Sequence, residues 1–287
     1  MKDLRYFWLL SRPLNVGIAA LVFTLACLIA QKWDFLILEN RDFQGTLLAL
    51  IGVMAGGYWV NDVFDFKIDR INKPEKVIVN SFVSSKKVLT VYFVSQVIIL
   101  GIVFFSLPLR VFIFSATSAF VLLVYAAWLK RISVLGNLLI STLTASVIWL
   151  AMSLFGIRWP LIWLSMFAFE ITFLRELTKD IEDIKGDLKF GLKTLPIQMG
   201  IRSVKKLLLF AYLVFILSAW VPLVSEYLRT NEINYNYLMF SLILIQFPAF
   251  FILKKTMRSS KPQDFASPSF YLKLMIGAGI LAVLWLK

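Results

Sequence analysis

The feature that most constrains this chain is a succession of apolar runs. Each is close to the ~20 residues a helix needs to cross about 30 Å of hydrocarbon. We place nine, at 14–30, 44–60, 88–107, 111–129, 134–156, 159–177, 204–225, 235–253 and 270–286. Pro108, Pro160 and Pro222 fall at or near expected ends, where a helix tolerates proline best. With 60% hydrophobic and 16% charged residues, 287 residues cannot clothe a soluble core. The expectation is an all-α polytopic membrane protein, one transmembrane domain over 1–287. The N-terminal run MKDLRYFWLLSRP meets Arg12 and Pro13 before any small-residue cleavage site, so the first span is expected to be retained.

Charge supplies the orientation. Nine spans put the N-terminus and alternate loops on one side. That side receives most of the Lys and Arg, including Arg5, Arg12, Lys67, Arg70, Lys130 and Lys193. The other side receives only a few, such as Lys32, Arg41, Arg110, Arg158 and Arg229. By the positive-inside rule the basic side is expected to face the cytoplasm, the chain being a multi-pass protein of the cell (inner) membrane. The net charge of +13 is then orientation signal and affinity for anionic membrane lipids, and no nucleic acid is expected. RYFW near the N-terminus reads as an interfacial belt rather than a base-stacking platform.

Two absences restrict the chemistry. There is no His, and the single Cys27 lies inside an apolar run. Imidazole bases, thiolate clusters and disulfides within the chain are excluded, so any metal must be held mainly by oxygen, which favours Mg²⁺, Mn²⁺ or Ca²⁺.

Oxygen ligands are conspicuous at two places. NDVFDFKIDR carries Asp62, Asp65 and Asp69, and KDIEDIKGD carries Asp180, Asp183 and Asp187. Both triplets stand at i, i+3 and i+7, one face of a helix, and each follows an apolar run. A lone acidic residue there would read as a solvated carboxylate balanced by lysines. Like charges three and four residues apart repel, so each stripe needs something cationic against it. Lysines could serve, but carboxylates at a membrane edge also suit Mg²⁺, which binds through a few carboxylates together with substrate phosphates. Arg70, Lys73 and Lys76 follow the first stripe, and Lys185, Lys189 and Lys193 surround the second. Carboxylate-bound Mg²⁺ and neighbouring cations suit a diphosphate whose hydrocarbon tail lies in an apolar cleft, that is, an isoprenoid diphosphate. Neutralising that leaving group lets the allylic C–O bond ionise. Tyr58, Trp59 and Tyr125 are candidate aromatic faces for the carbocation, though ordinary packing is the better explanation of any single one of them.

N-D-V-F-D-F-K-I-D-R-I-N-K-P, 61–74, resembles the first motif of the UbiA superfamily of intramembrane prenyltransferases. R-P-L-N at 12–15, Y-A-A-W-L-K at 125–130, G-N at 136–137 and D-I-K-G-D at 183–187 are similar to further family segments. The resemblance implies nine helices in a bundle around a central cavity open to lipid, with cytosolic cap loops carrying the aspartates. It implies Mg²⁺-dependent transfer of a prenyl group from a prenyl diphosphate donor to a lipophilic acceptor. Asp62, Asp65, Asp69, Asp183 and Asp187 would bind metal; Asn15 and Asn61 would border the diphosphate, with Asp180 among the substrate contacts. Lys130 and Tyr125 would stand near the reacting centre. Residues 175–196 resemble the family's lipid-forming branch, which implies geranylgeranyl transfer to geranylgeranylglyceryl phosphate in ether-lipid biosynthesis. After N-K-P many members continue Arg-Pro, where this chain has Glu75-Lys76-Val77, so Lys76 supplies charge without a guanidinium's two-pronged grip.

Two other readings stay open. An aromatic acid such as 4-hydroxybenzoate, or a quinone precursor, could replace the lipid acceptor with the same chemistry. A transporter could also present two matched charged helix ends, although transporter sites usually lie at the bilayer midplane. Glu170, deep in an expected span, is expected to pair locally rather than relay protons.

Overall fold

The computed structural model describes residues 2–286, the side chains of Lys2, Ile280 and Val283 aside. Helices occupy the nine expected segments, the one at 204–225 being interrupted by a turn at Ala219–Trp220, and among the described residues seven are long and apolar enough to cross a membrane. The chain is a multi-pass membrane protein. Its contacts divide into two compact units: the chain up to Lys130 with Ser153–Phe155, and Arg131–Met152 with the chain from Gly156 on.

In the first unit a short helix α1 (Lys2–Leu10) precedes α2 (Pro13–Ala30), which opens on the fixed φ of Pro13. Helix α3 (Arg41–Asn72) starts where Asn40 Oδ1 accepts the backbone N–H groups of Asp42 and Phe43. Its 32 residues make it about 48 Å long, well beyond the ~30 Å of hydrocarbon. Helices α4 (Ser85–Ser106) and α5 (Leu109–Ala127) lie against it.

Glycines at 45, 52 and 56 form a seam on α3 that lets α4 approach closely. A Cβ at Gly52 would stand 2.5 Å from Ile99 Cδ1, and one at Gly56 would stand 2.3 Å from Gln96 Nε2. The opposite face of α4 is bare: Val97, Ile98, Ile102 and Phe105 are all more than half exposed, a surface suited to lipid. Beneath the end of α3, Leu10, Val63, Val79, Val83 and Val88 form a buried cluster joining α1 to the loop after α3. Trp59 closes it, its indole N–H donating to Ser11 Oγ at 2.9 Å and its ring meeting Phe7 edge-on. Trp59 is therefore packing.

In the second unit α6 (Leu135–Phe155, as far as Met152) and α7 (Trp159–Glu182) are followed by the short α8 (Ile184–Lys189) and α9 (Leu195–Met199). Then come α10 (Ile201–Ser218), α11 (Val221–Thr230), α12 (Tyr235–Ser241), α13 (Phe247–Arg258) and α14 (Ala266–Val283). Helix α7 packs along α14 and α10. The expected span at 235–253 is not uniform: a π-turn over Leu242–Gln246 joins α12 to α13. Pro248 explains it, because proline lacks an N–H and its ring crowds the carbonyl four residues back. Glu170, on α7, accepts from the Ser218 hydroxyl at 2.7 Å, the local pairing expected of it.

Candidate active site

The first aspartate triplet lies on one uninterrupted helix, α3, and each member meets a cation. Arg12 Nη2 donates to Asp62 Oδ1 at 2.6 Å, and its guanidinium also lies 4.9 Å from the centre of the Tyr58 ring. Asp65, 4% exposed, accepts from Lys130 Nζ and from Asn61 Nδ2, the latter at 2.8 Å. Asp69 acts electrostatically on both cations. Burial opposes the charge on Lys130, but Asp65, with Tyr125 and Asp69 adding to it, holds the ammonium well above lysine's ordinary value. Burial likewise opposes the charge on Arg12, and Asp62, with Tyr58 and Asp69 adding to it, outweighs burial. Both stay cationic at any working pH.

Backbone geometry serves the Arg12 contact. Arg12 caps the start of α2 with φ 50° and ψ 62°, a left-handed conformation costing a non-glycine residue about 1–2 kcal/mol. Asn15, one turn on, buries its amide oxygen Oδ1 with no hydrogen-bond partner.

The second triplet departs from expectation. Asp180 belongs to α7, Asp183 is the residue that ends it (φ −90°, ψ 3°), and Asp187 belongs to α8. The three are not on one continuous helix. Asp183 is a turn residue between the two helices, and the bond from Asp187 N–H to Asp183 O, 3.2 Å, spans the interruption. Asp187 is 4% exposed, Asp180 Oδ2 accepts from Asn137 Nδ2 at 2.8 Å, and Lys179 stands 3.9 Å from Asp183. Just before α6, Leu135 N–H donates to Ser133 O at 2.7 Å across Val134, whose φ of 65° is strained for a β-branched residue.

The other expected site residues fall less centrally. Arg70 is exposed, reaching Asn80 O at 3.4 Å and the Phe66 ring at 5.7 Å rather than the stripe. Lys73 ends α3, its N–H donating to Asp69 O at 2.7 Å. Lys76 and Lys185 are exposed. Arg12 and Asn137, of which no contact with the aspartates was expected, each hold an aspartate, Asp62 and Asp180 respectively.

Among the described residues no three acidic groups converge closely enough to enclose a metal ion. The donor chemistry nonetheless fits a hard divalent cation. It is all oxygen, and the orphaned Oδ1 of Asn15 is an acceptor that a cation or its bound water would satisfy. Arg12 and Lys130 now neutralise carboxylates, and the same side chains suit phosphate.

Comparison with known proteins bears on this arrangement. The UbiA prenyltransferase family matches over residues 17–275. A digeranylgeranylglyceryl phosphate synthase of Saccharolobus solfataricus is 30% identical, aligned over 98% of this chain and 96% of that one. The same-named protein of Methanoregula boonei is 35% identical over 75% of each chain. A solved structure concerning digeranylgeranylglyceryl phosphate synthase in membranes superposes with a TM-score of 0.72 at 24% identity, covering 99% of this chain and 98% of that one. A UbiA homologue from Archaeoglobus fulgidus, solved with DMAPP and Mg²⁺, has the same fold, with a TM-score of 0.65 at 17% identity over 97% and 99% of the two chains.

Proposed function

This chain belongs to the UbiA prenyltransferase family, and from that premise we propose that it transfers a geranylgeranyl group from its diphosphate to the free hydroxyl of geranylgeranylglyceryl phosphate. The observation that carries the proposal is the first triplet: three carboxylates on one face at the end of an apolar helix, held by Arg12 and Lys130. The naming of near full-length relatives as digeranylgeranylglyceryl phosphate synthases supports the choice of acceptor.

In this reading Asp62, Asp65, Asp69, Asp183 and Asp187 hold Mg²⁺. Bound Mg²⁺ would neutralise the diphosphate and stabilise the charge that grows on it as the allylic C–O bond breaks. Arg12 and Lys130 exchange their carboxylate contacts for phosphate oxygens, and Asn15 and Asn61 border the same group. Tyr125, near enough to Lys130 to interact with it, offers its ring to the reacting end of the tail. The apolar α2 to α5 accommodate the hydrocarbon and keep water from the carbocation. The excess of Lys and Arg on the motif-bearing side supports a cytoplasmic orientation.

The test uses purified protein in detergent with Mg²⁺ and labelled geranylgeranyl diphosphate, and offers geranylgeranylglyceryl phosphate or 4-hydroxybenzoate. Metal-dependent product with the glycerophosphate alone, absent in Asp65→Asn and Asp183→Asn, is the expected result. Product on the aromatic acid alone would overturn the acceptor. Donor retained in vesicles without chemical change would overturn the enzyme reading.

A further inference from the structure

Helix α7 carries a polar line that the reading above does not use. Thr172, Glu176, Asp180 and Asp183 recur at i, i+4, i+8 and i+11, one face of a helix. The second aspartate motif thus continues two turns into the apolar part of α7. Glu176 lies about 6 Å deeper along the axis than Asp180, and Thr172 about 6 Å deeper again.

Both side chains are buried, and one lacks a partner. Glu176 is 7% exposed, and its Oε1 accepts from Arg175 Nη1 at 2.5 Å. Arg175 starts about 100° round the helix and reaches back to the carboxylate, steadying it from the flank. Thr172 is 3% exposed and its hydroxyl has no hydrogen-bond partner. A helical threonine commonly bonds the carbonyl four residues back, as Thr178 does to Leu174 O at 2.7 Å; Thr172 does not. Buried polar atoms in proteins are almost always satisfied, so an orphaned hydroxyl one turn from a buried carboxylate leaves a hydrogen-bonding position open to a ligand atom.

The chemistry of the two groups selects that atom. It must donate a proton to a carboxylate and accept one from a hydroxyl, which an alcohol oxygen does. A metal ion would leave the Thr172 hydroxyl proton unused, and a fully ionised phosphate has none to donate to the carboxylate. Position agrees: a nucleophile attacking the first carbon of the prenyl chain must approach from the membrane side of the diphosphate, one turn inward from the aspartates.

We propose that Glu176 and Thr172 form the subsite for the acceptor's hydroxyl and that Glu176 takes its proton, an inference that rests on the prenyl-transfer reading. A lone pair on the acceptor oxygen forms the bond to carbon 1 of the prenyl group. The bond from that carbon to the diphosphate oxygen breaks, and its electron pair leaves on the diphosphate. The proton of the hydroxyl passes to Glu176 Oε. Thr172 donates to the acceptor oxygen before transfer, and Arg175 is a positioning residue.

The experiment compares wild type, Glu176→Gln, Glu176→Asp and Thr172→Val as full-length protein in detergent with Mg²⁺. It measures ether formation with geranylgeranylglyceryl phosphate and, separately, the Kd for geranylgeranyl diphosphate. Loss of a general base predicts a kcat lowered about 100-fold or more in Glu176→Gln, with donor affinity within about twofold and partial recovery in Glu176→Asp. Loss of one hydrogen bond predicts an acceptor KM raised about tenfold in Thr172→Val, again without change in donor affinity. Wild-type turnover in Glu176→Gln would overturn the proposal. So would a loss of donor affinity parallel to the loss of product, since Glu176 would then belong to the diphosphate grip. If Glu176→Gln does not fold, Thr172→Val decides, and an unchanged acceptor KM refutes the subsite. Failure of the ether-lipid reading shows in the wild type itself, as no product with this acceptor; the same variants are then judged on the acceptor that does react.

Discussion

Breaking the pair between Lys130 and Asp65 should destabilise the protein far more than removing both partners. The Asp65 side chain is 5% exposed and that of Lys130 21% exposed. Two unit charges about 4 Å apart attract by about 4 kcal/mol at an effective dielectric near 20, and direct contact is stronger. Removing one partner also leaves a desolvated charge behind, so Lys130→Met and Asp65→Leu should each cost about 3–5 kcal/mol. The double variant leaves no orphaned charge and should cost less than either single change. The assay is reversible unfolding in mixed micelles, with chelator present so that no metal substitutes for the lysine. A pH comparison adds a second arm. A lysine whose folded value is raised contributes stability that is fully present below its unfolded value of about 10.4 and lost only as pH rises through the folded one. The penalty of Lys130→Met should therefore be the same at pH 7 and pH 9. Strictly additive single and double variants, or singles costing under about 1 kcal/mol, would refute the buried-pair argument.

Asn137→Leu keeps the side-chain volume but leaves Asp180 Oδ2 without its donor, so it should cost about 1–3 kcal/mol in the same assay. Gly156 has φ 107° and ψ 149° with no atom within 4 Å of an added Cβ. Gly156→Ala should therefore lower stability by about 1–3 kcal/mol through the backbone alone. Gly101, equally open but in the middle of α4, should instead gain up to about 1 kcal/mol as alanine. Val134→Gly should relieve the positive φ at the start of α6 and raise the melting temperature, and an unchanged or lower value would show that the valine side chain compensates for its strain.

What the sequence disclosed depended on whether local spacing carries through. Asp62, Asp65 and Asp69 were legible as one face because α3 runs unbroken to Asn72. The same spacing misled for the second triplet, because helical periodicity says nothing of a break at Asp183, where no proline announces it. The partners of the aspartates were harder to read: Lys130 lies 65 residues from Asp65 and Arg12 lies 50 from Asp62. R-P-L-N drew notice to Arg12, but its left-handed backbone could not be inferred, since a following proline ordinarily favours extended geometry. Arg70 shows the converse, a charge adjacent in sequence that α3 turns toward Asn80 and Phe66 instead. The count of nine spans was less secure than the existence of the helices, because α7 dilutes its apolar run with Glu170, Arg175 and Glu176.

The length of α3 ties the protein to the thickness of its host bilayer. From Arg41 to Asp62 the helix rises about 31 Å, close to the full depth of the hydrocarbon, so with Arg41 at one headgroup boundary the triplet would begin at the other. A membrane a few Å thicker would draw Asn61 and Asp62 into oil unless α3 tilted less; a thinner one would lift the glycine seam toward the headgroups. Reconstitution into lipids of graded chain length should therefore give an activity optimum, with hydrophobic mismatch on either side falling on the helix that carries the aspartates.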